Sequence, residues 1–139
     1  MSYEQKTKLV DQMTRQITHD KMIILKDRGL TSIPDPLRFE GIVFGQLLTL
    51  DLQNNNISDL DGIFCQNFPS LQKLDLRNNK LKSINPHIKA LMSLTTLRLD
   101  GNQLTQLVPT IGNLKLLEEL SVSNNRLFEI PHCFGENLT

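Results

Sequence analysis

The chain has 139 residues, and its 15 basic and 15 acidic side chains give a formal net charge of zero. This length suits one domain, and the zero net charge argues against a nucleic acid or an anionic membrane attracted by bulk charge. Aromatic residues make up only 5 %, with no Trp, while leucine is abundant, so we expect a core built from stacked layers that each repeat the same side-chain shape.

The first 21 residues are predicted to contain an amphipathic helix. Leu9, Met13 and Ile17 recur four residues apart, which places them on one face of a helix between residues 2 and 19. Such a helix could bind a membrane surface or a partner's groove, but we favour a cap, residues 1–21, that covers the core of the structure after it. Because the N-terminus lacks the apolar region of a signal peptide, and no run approaches the roughly 18 apolar residues of a membrane span, we expect a cytoplasmic protein.

Residues 22–139 carry an internal repeat. Four copies of the pattern LxxLxLxxNxLxx(L/I) start at Leu47, Leu71, Leu94 and Leu117, so the starts lie 24, 23 and 23 residues apart. A weaker copy precedes them and has Arg28 where the others have Asn. We therefore expect about five repeats, with the first one irregular and the Arg28 side chain pointing outward. A fixed period of this length is typical of a solenoid.

In these motifs the chain resembles the leucine-rich repeat family, over about residues 20–139. The resemblance implies an α/β solenoid shaped like a horseshoe, with a parallel sheet on the concave side. It also implies that the repeated asparagines bond to the backbone of their own turn and of the neighbouring repeat. These structural residues are Asn55, Asn79, Asn102 and Asn125. Pro34, Pro86, Pro109 and Pro131 follow the last Leu or Ile of four of the five motifs, and such proline-bearing repeats of about 23 residues resemble the intracellular Ras-associated group, including the Ras-suppressor type.

One face of the predicted sheet is expected to bind a partner. Side chains that alternate with the strand leucines point away from the core. The predicted partner-binding residues are Thr49, Asp51, Gln53, Lys73, Asp75, Arg77, Thr96, Arg98, Asp100, Glu119 and Ser121. Lys73, Arg77 and Arg98 are expected to form a compact basic cluster near the centre. Arginine is common in binding hot spots but aromatic anchors are missing, so recognition would depend on charge complementarity.

No motif in the sequence indicates catalysis, a cofactor or a metal site. Gly-rich phosphate loops, HExxH, GxSxG and the kinase signature are absent. Asp51 and Asp75 are expected to be neighbours, and paired carboxylates can act as acid and base or bind a cation. On an open, hydrated sheet we favour a mixed-charge binding face instead. The three histidines, His19, His87 and His132, are interpreted as solvated.

The two cysteines, Cys65 and Cys133, are predicted to be free thiols. They fall at similar positions three repeats apart, and strands stack about 4.8 Å apart. The resulting separation of roughly 15 Å exceeds the limit of about 7 Å between bridged Cα atoms.

The sequence predicts a non-catalytic protein–protein interaction module, or scaffold, that binds its partner on the concave face. The resemblance to the Ras-associated group implies a small GTPase or a signalling effector as the partner, and neither a nucleic acid nor a membrane span is expected. Because no polar-faced terminal cap follows the last repeat, the chain could be a fragment of a longer array. Two alternatives stay open. One is the targeting segment of a larger signalling enzyme, such as a phosphatase, kinase or ubiquitin ligase, and the other is an adaptor that dimerises through its C-terminal edge.

Overall fold

A five-stranded parallel sheet organises the described part of the chain. The computed structural model describes residues 2, 4, 8, 11–13, 15, 19–38 and 44–131. Its strands are β1 (Met22–Ile24), β2 (Thr49–Asp51), β3 (Lys73–Asp75), β4 (Thr96–Arg98) and β5 (Glu119–Ser121). They pair in chain order, each parallel to its neighbours. One strand per repeat in an open parallel sheet confirms the predicted α/β solenoid.

Short helices lie in the segments that return from one strand to the next. They are α1 (Asp35–Arg38), α2 (Gly62–Gln66) and two 3₁₀ helices, Pro86–Ala90 and Pro109–Asn113. Both 3₁₀ helices begin at a proline, because its ring fixes φ and a helix start does not need its missing N–H. Helix α2 is capped by Asp61, whose carboxylate accepts a hydrogen bond from the Phe64 N–H at 2.8 Å.

The side of the sheet that faces the return segments forms a continuous leucine core. Six leucines, one within and one just after each of the strands β2 to β4, have no exposed surface: Leu50, Leu52, Leu74, Leu76, Leu97 and Leu99. The equivalent Leu120 and Val122 are only partly buried, because within the described residues β5 has a neighbouring strand on one side only. Full burial of one such side chain contributes about 1.5–3 kcal/mol, so each layer stabilises the layers beside it.

Three phenylalanine side chains pack together in the core beside β2 and β3. The rings of Phe44 and Phe68 stack with centroids 5.2 Å apart, and Phe64 lies 4.9 Å from Phe68 in a tilted arrangement. Phe64 and Phe68 have no exposed surface. Phe64 lies within α2 and Phe68 two residues after its end, in the return segment that is α-helical instead of 3₁₀.

A column of asparagines closes the turns after the strands. The Asn79 side-chain amide donates to the carbonyls of Leu52 and Leu76 at 3.0 and 3.1 Å, and its carbonyl accepts from the Ile57 N–H at 3.0 Å. Three more side chains make the equivalent donor pair: Asn55, Asn102 and Asn125. Because each bonds to two repeats, the asparagines fix the spacing between layers.

The first repeat departs from this pattern at Arg28. The Arg28 side chain is exposed, so it does not enter the asparagine column. The Leu30 N–H donates to the Asn55 carbonyl oxygen at 3.0 Å, as the Ile57 N–H does to Asn79, and the Arg28 N–H adds a second bond to the same oxygen at 3.1 Å. The second repeat therefore supplies the hydrogen bonds that hold the turn of the first.

The N-terminal segment touches the core through Met13. This side chain is 2 % exposed and belongs to the buried cluster. Leu9 and Ile17, which define the rest of the predicted apolar stripe, lie outside the described residues, so the capping role of residues 1–21 stays a prediction. In the part of the chain that the structure describes, no helix has the length and apolar character needed to cross a membrane.

Candidate protein-binding face

Polar side chains cover the side of the sheet opposite the leucine core, and we call this surface the open face. The strand register sets Thr49, Lys73, Thr96 and Glu119 in one row across β2 to β5, and Asp51, Asp75, Arg98 and Ser121 in a second. Gln53, Arg77 and Asp100 follow two residues later along the chain. The structure thus brings all the residues predicted to bind a partner onto one surface, with a shallow depression of about 210 Å³ at its centre.

Arg77, two residues after the end of β3, is held by the last residue of that strand. Its Nε lies 3.0 Å from both carboxylate oxygens of Asp75, and its Nη2 lies 2.7 Å from Oδ2. Nη2 also donates to Gln53 Oε1 at 3.2 Å. The hydrogen bond to Asp75 raises the pKa of Arg77 above its ordinary value. The guanidinium is therefore bonded to both Asp75 and Gln53 without a partner present.

Arg98 pairs across the sheet with Glu119. The Arg98 Nε lies 2.9 Å from Glu119 Oε1, and this hydrogen bond lowers the pKa of Glu119 and raises that of Arg98. Arg98 thus bonds to a neighbour in the first row, although Asp75 is its register partner.

Lys73, Arg77 and Arg98 lie around one depression, but two of these three cations are paired with carboxylates. Asp75 neutralises Arg77, and Glu119 neutralises Arg98. Among the described residues Lys73 makes no ion pair, and its side chain is exposed. The centre of the open face is an ordered mixture of both signs, because side chains that alternate in charge along and across strands pair with one another.

Asp100 is held by hydroxyl groups. Its carboxylate accepts from Ser121 Oγ and Ser123 Oγ, both at 2.5 Å, and from the Ser123 N–H at 2.9 Å. Partial burial acts to raise the pKa of Asp100, but these hydrogen bonds outweigh it and leave the pKa below its ordinary value. Asp100 is therefore ionised at neutral pH and adds a fixed negative charge beside Arg77.

Asp51 and Asp75 are register partners, as the sequence predicts. Asp51 accepts from the backbone and side-chain amides of Gln53 at 3.1 and 3.0 Å, whereas Asp75 holds Arg77. The two carboxylates are therefore engaged with different neighbours. Within the described residues no group of three or more His, Cys, Asp or Glu side chains could hold a metal ion.

Cys65 is a free, buried thiol. Burial, with a smaller contribution from the nearby Asp61 carboxylate, raises its pKa to about 12. Because the thiolate is the reactive form, this side chain acts as part of the core and not as a nucleophile. Cys133 and His132 lie outside the described residues, while His19 and His87 are exposed.

Known families and structures resemble this chain in its repeats. Two family models, both described as leucine-rich repeat, match residues 45–104 and 116–137. No curated protein gives a significant match. The BIR2 ectodomain from Arabidopsis thaliana is 34 % identical with a TM-score of 0.67, and the match covers 80 % of this chain and 58 % of that one. A leucine-rich repeat protein from Leptospira interrogans is 25 % identical with a TM-score of 0.67, and the match covers 91 % and 38 %. The chain spans less than two thirds of either protein.

Proposed function

The chain belongs to the leucine-rich repeat family, and from this premise we propose that it is a non-catalytic interaction module that binds a partner protein through the open face. Leucine-rich repeat domains generally mediate protein–protein interactions. The open face supports the proposal because its charged side chains pair with one another along and across the strands. Arg77 is held by Asp75 and Gln53, and Arg98 by Glu119. Side chains ordered in advance lose less entropy on binding.

The chemistry of the open face favours selective recognition over high affinity. Its central residues are charged or polar, and aromatic anchors are absent from the rows on β2 to β5. Charge complementarity across an interface raises the association rate and excludes wrong partners more than it raises affinity. A partner is expected to place an acidic group over the exposed Lys73 and a basic group over Asp51 or Asp100. A small GTPase or signalling effector as partner, the Ras-suppressor subtype and a cytoplasmic location stay predictions.

A charge exchange at the centre of the open face tests this function. The double variant Asp75→Lys/Arg98→Glu is expected to lose the bound partner in a pull-down from lysate of the source cells, with at least a tenfold loss of affinity, or about 1.4 kcal/mol. The fold should survive, because ion pairs at a solvated surface typically contribute only about 0.2–1 kcal/mol and these side chains are half-buried, outside the leucine core. The two exchanged charges still attract each other across β3 and β4, although each then faces a like charge, at Arg77 and at Glu119. Circular dichroism and a denaturation curve check folding.

The matched control is Asp20→Lys/Lys89→Glu, which exchanges two exposed charges outside the open face. It also leaves the net charge unchanged, and it should recover the same partner as the unaltered chain. If the control loses the partner while the open-face variant keeps it, recognition takes place elsewhere and the proposed function at this face is wrong.

A further inference from the structure

A second concave surface lies among the return segments. It is a groove of about 880 Å³, formed by the residues that follow the motifs of three successive repeats, together with Asp59 from the repeat before them. We call it the proline groove, because Pro86, Pro109 and Pro131 recur along it. None of its lining residues belongs to the open face. Its volume is within the range of about 300–1,000 Å³ that is typical of ligand sites.

We propose that the proline groove binds an extended segment of a partner protein that combines apolar side chains with lysine or arginine. This binding activity goes beyond the function proposed for the open face and uses a separate surface. Three features support this proposal. The base of the groove is apolar and includes one exposed isoleucine, proline-containing segments fix its shape, and the described charged side chains that line it are all negative.

The apolar floor comes from the residue that ends each repeat motif. Ile84 and Leu107 are 4 % and 3 % exposed, whereas Ile130, at the equivalent position, is 60 % exposed. All three line the groove, and Val108 adds a half-buried side chain beside them. Ile130 thus offers apolar surface that a partner's leucine or valine would cover, and removing such surface from water is favourable by about 25 cal/mol per Å².

The frame of the groove is rigid without a ligand. Pro86 and Pro109 begin the two 3₁₀ helices, and proline has a fixed φ. The Thr110 hydroxyl donates to the Pro86 carbonyl at 2.9 Å, which joins the two successive repeats along the groove. A preformed groove binds a flexible segment at a lower entropic cost than a surface that must first become ordered.

The charge of the groove selects a cationic segment. Asp59 and Glu129 line it and are exposed, while none of the described lining residues is Lys, Arg or His. Lys82 is exposed and adjacent in sequence to the lining residue Ser83, but it does not line the groove itself. Two carboxylates and no cation favour a basic ligand, and polar Ser83 and Gln106 can hydrogen-bond its backbone.

The test titrates the isotopically labelled chain with a synthetic peptide and follows backbone amide shifts by NMR. The probe is an acetylated, amidated peptide of sequence Lys-Leu-Val-Leu-Lys. Its controls replace both lysines by glutamate or all three apolar residues by serine. We expect the probe to shift amides of residues 83–86, 106–109 and 129–130, and to bind at least fivefold more tightly than either control, since each exposed ion pair contributes up to about fivefold in affinity.

Variants of the chain separate this site from the open face. Ile130→Ser and Asp59→Lys/Glu129→Lys alter exposed side chains, so the fold should persist, and each should weaken the probe at least fivefold. The Asp75→Lys/Arg98→Glu variant should bind the probe as tightly as the unaltered chain does. If the open face turns out not to bind a partner, the test of the proline groove is therefore unaffected. Equal binding of the acidic peptide, shifts confined to the open face, or no shifts at millimolar probe would each overturn the proposal. Groove shifts that appear when the chain alone is concentrated would also overturn it, because the occupant would then be a second copy.

Discussion

Replacing Leu74 by Ala is expected to lower the free energy of unfolding by about 2–5 kcal/mol, the usual range for a buried leucine. Leu74 has no exposed surface and lies in the central strand, in register with Leu50 and Leu97. Truncation removes apolar contact with the layers on both sides and leaves a cavity that flanking strands, held by their own hydrogen bonds, cannot fill. Chemical denaturation of the purified chain measures the change.

The control for Leu74 is its neighbour on the opposite face. Lys73→Ala changes an exposed side chain in the same strand and should alter the free energy of unfolding by less than about 0.5 kcal/mol. Equal effects of the two substitutions would mean that the strand does not separate a core face from an open face.

Replacing Asn79 by Ala is expected to cost about 2–4 kcal/mol of stability. The substitution removes the acceptor of the buried Ile57 N–H, and an orphaned buried donor costs about 1–3 kcal/mol. It also removes the donor to Leu52 and Leu76. Those two carbonyls keep bonds from Asn55 and Asn102, so the loss falls mainly on the Ile57 N–H and on the contact between layers.

Asn56→Ala provides the comparison for Asn79. Asn56 lies in the same kind of turn but is exposed, and its backbone N–H bond to the Leu30 carbonyl survives the substitution. Its free energy of unfolding should stay within about 0.5 kcal/mol of the unaltered chain. If Asn79→Ala is equally mild, the asparagine column does not hold the layers together.

The sequence is sufficient to predict the sheet and its register. A motif that recurs every 23 or 24 residues aligns Leu50, Leu74 and Leu97, and the same shift aligns the side chains between them. A two-residue period within each strand then assigns one face to the core. The residues of the open face follow from these two periods alone.

The sequence does not determine how the charges of the open face pair. Arg98 is in register with Asp75, yet it bonds to Glu119, while Asp75 holds Arg77, two residues after the end of β3. Several acidic groups lie within reach of each flexible arginine, and energies that differ by a fraction of a kcal/mol decide between them. The alternation of residue types carries no such information, so it predicts a face of mixed charge but not which residues pair.

The return segments are also less predictable than the strands. Their lengths vary early in the chain, and α2 is α-helical where later repeats have 3₁₀ helices. The buried rings of Phe64 and Phe68 fill that repeat. The sequence does contain one signal for the proline groove, since prolines follow the last three motifs at Pro86, Pro109 and Pro131. The groove itself arises from the packing of successive repeats and has no motif of its own.

Site-specific crosslinking tests the central claim, recognition through the open face, most directly. A photoreactive phenylalanine analogue is placed at Thr96, half-buried in the middle of the open face, or at Lys89, exposed on the Pro86–Ala90 helix. After irradiation in lysate, we expect the Thr96 position to give a discrete adduct with the partner and the Lys89 position to give none. An adduct to the same partner from Lys89 alone would contradict binding through this face.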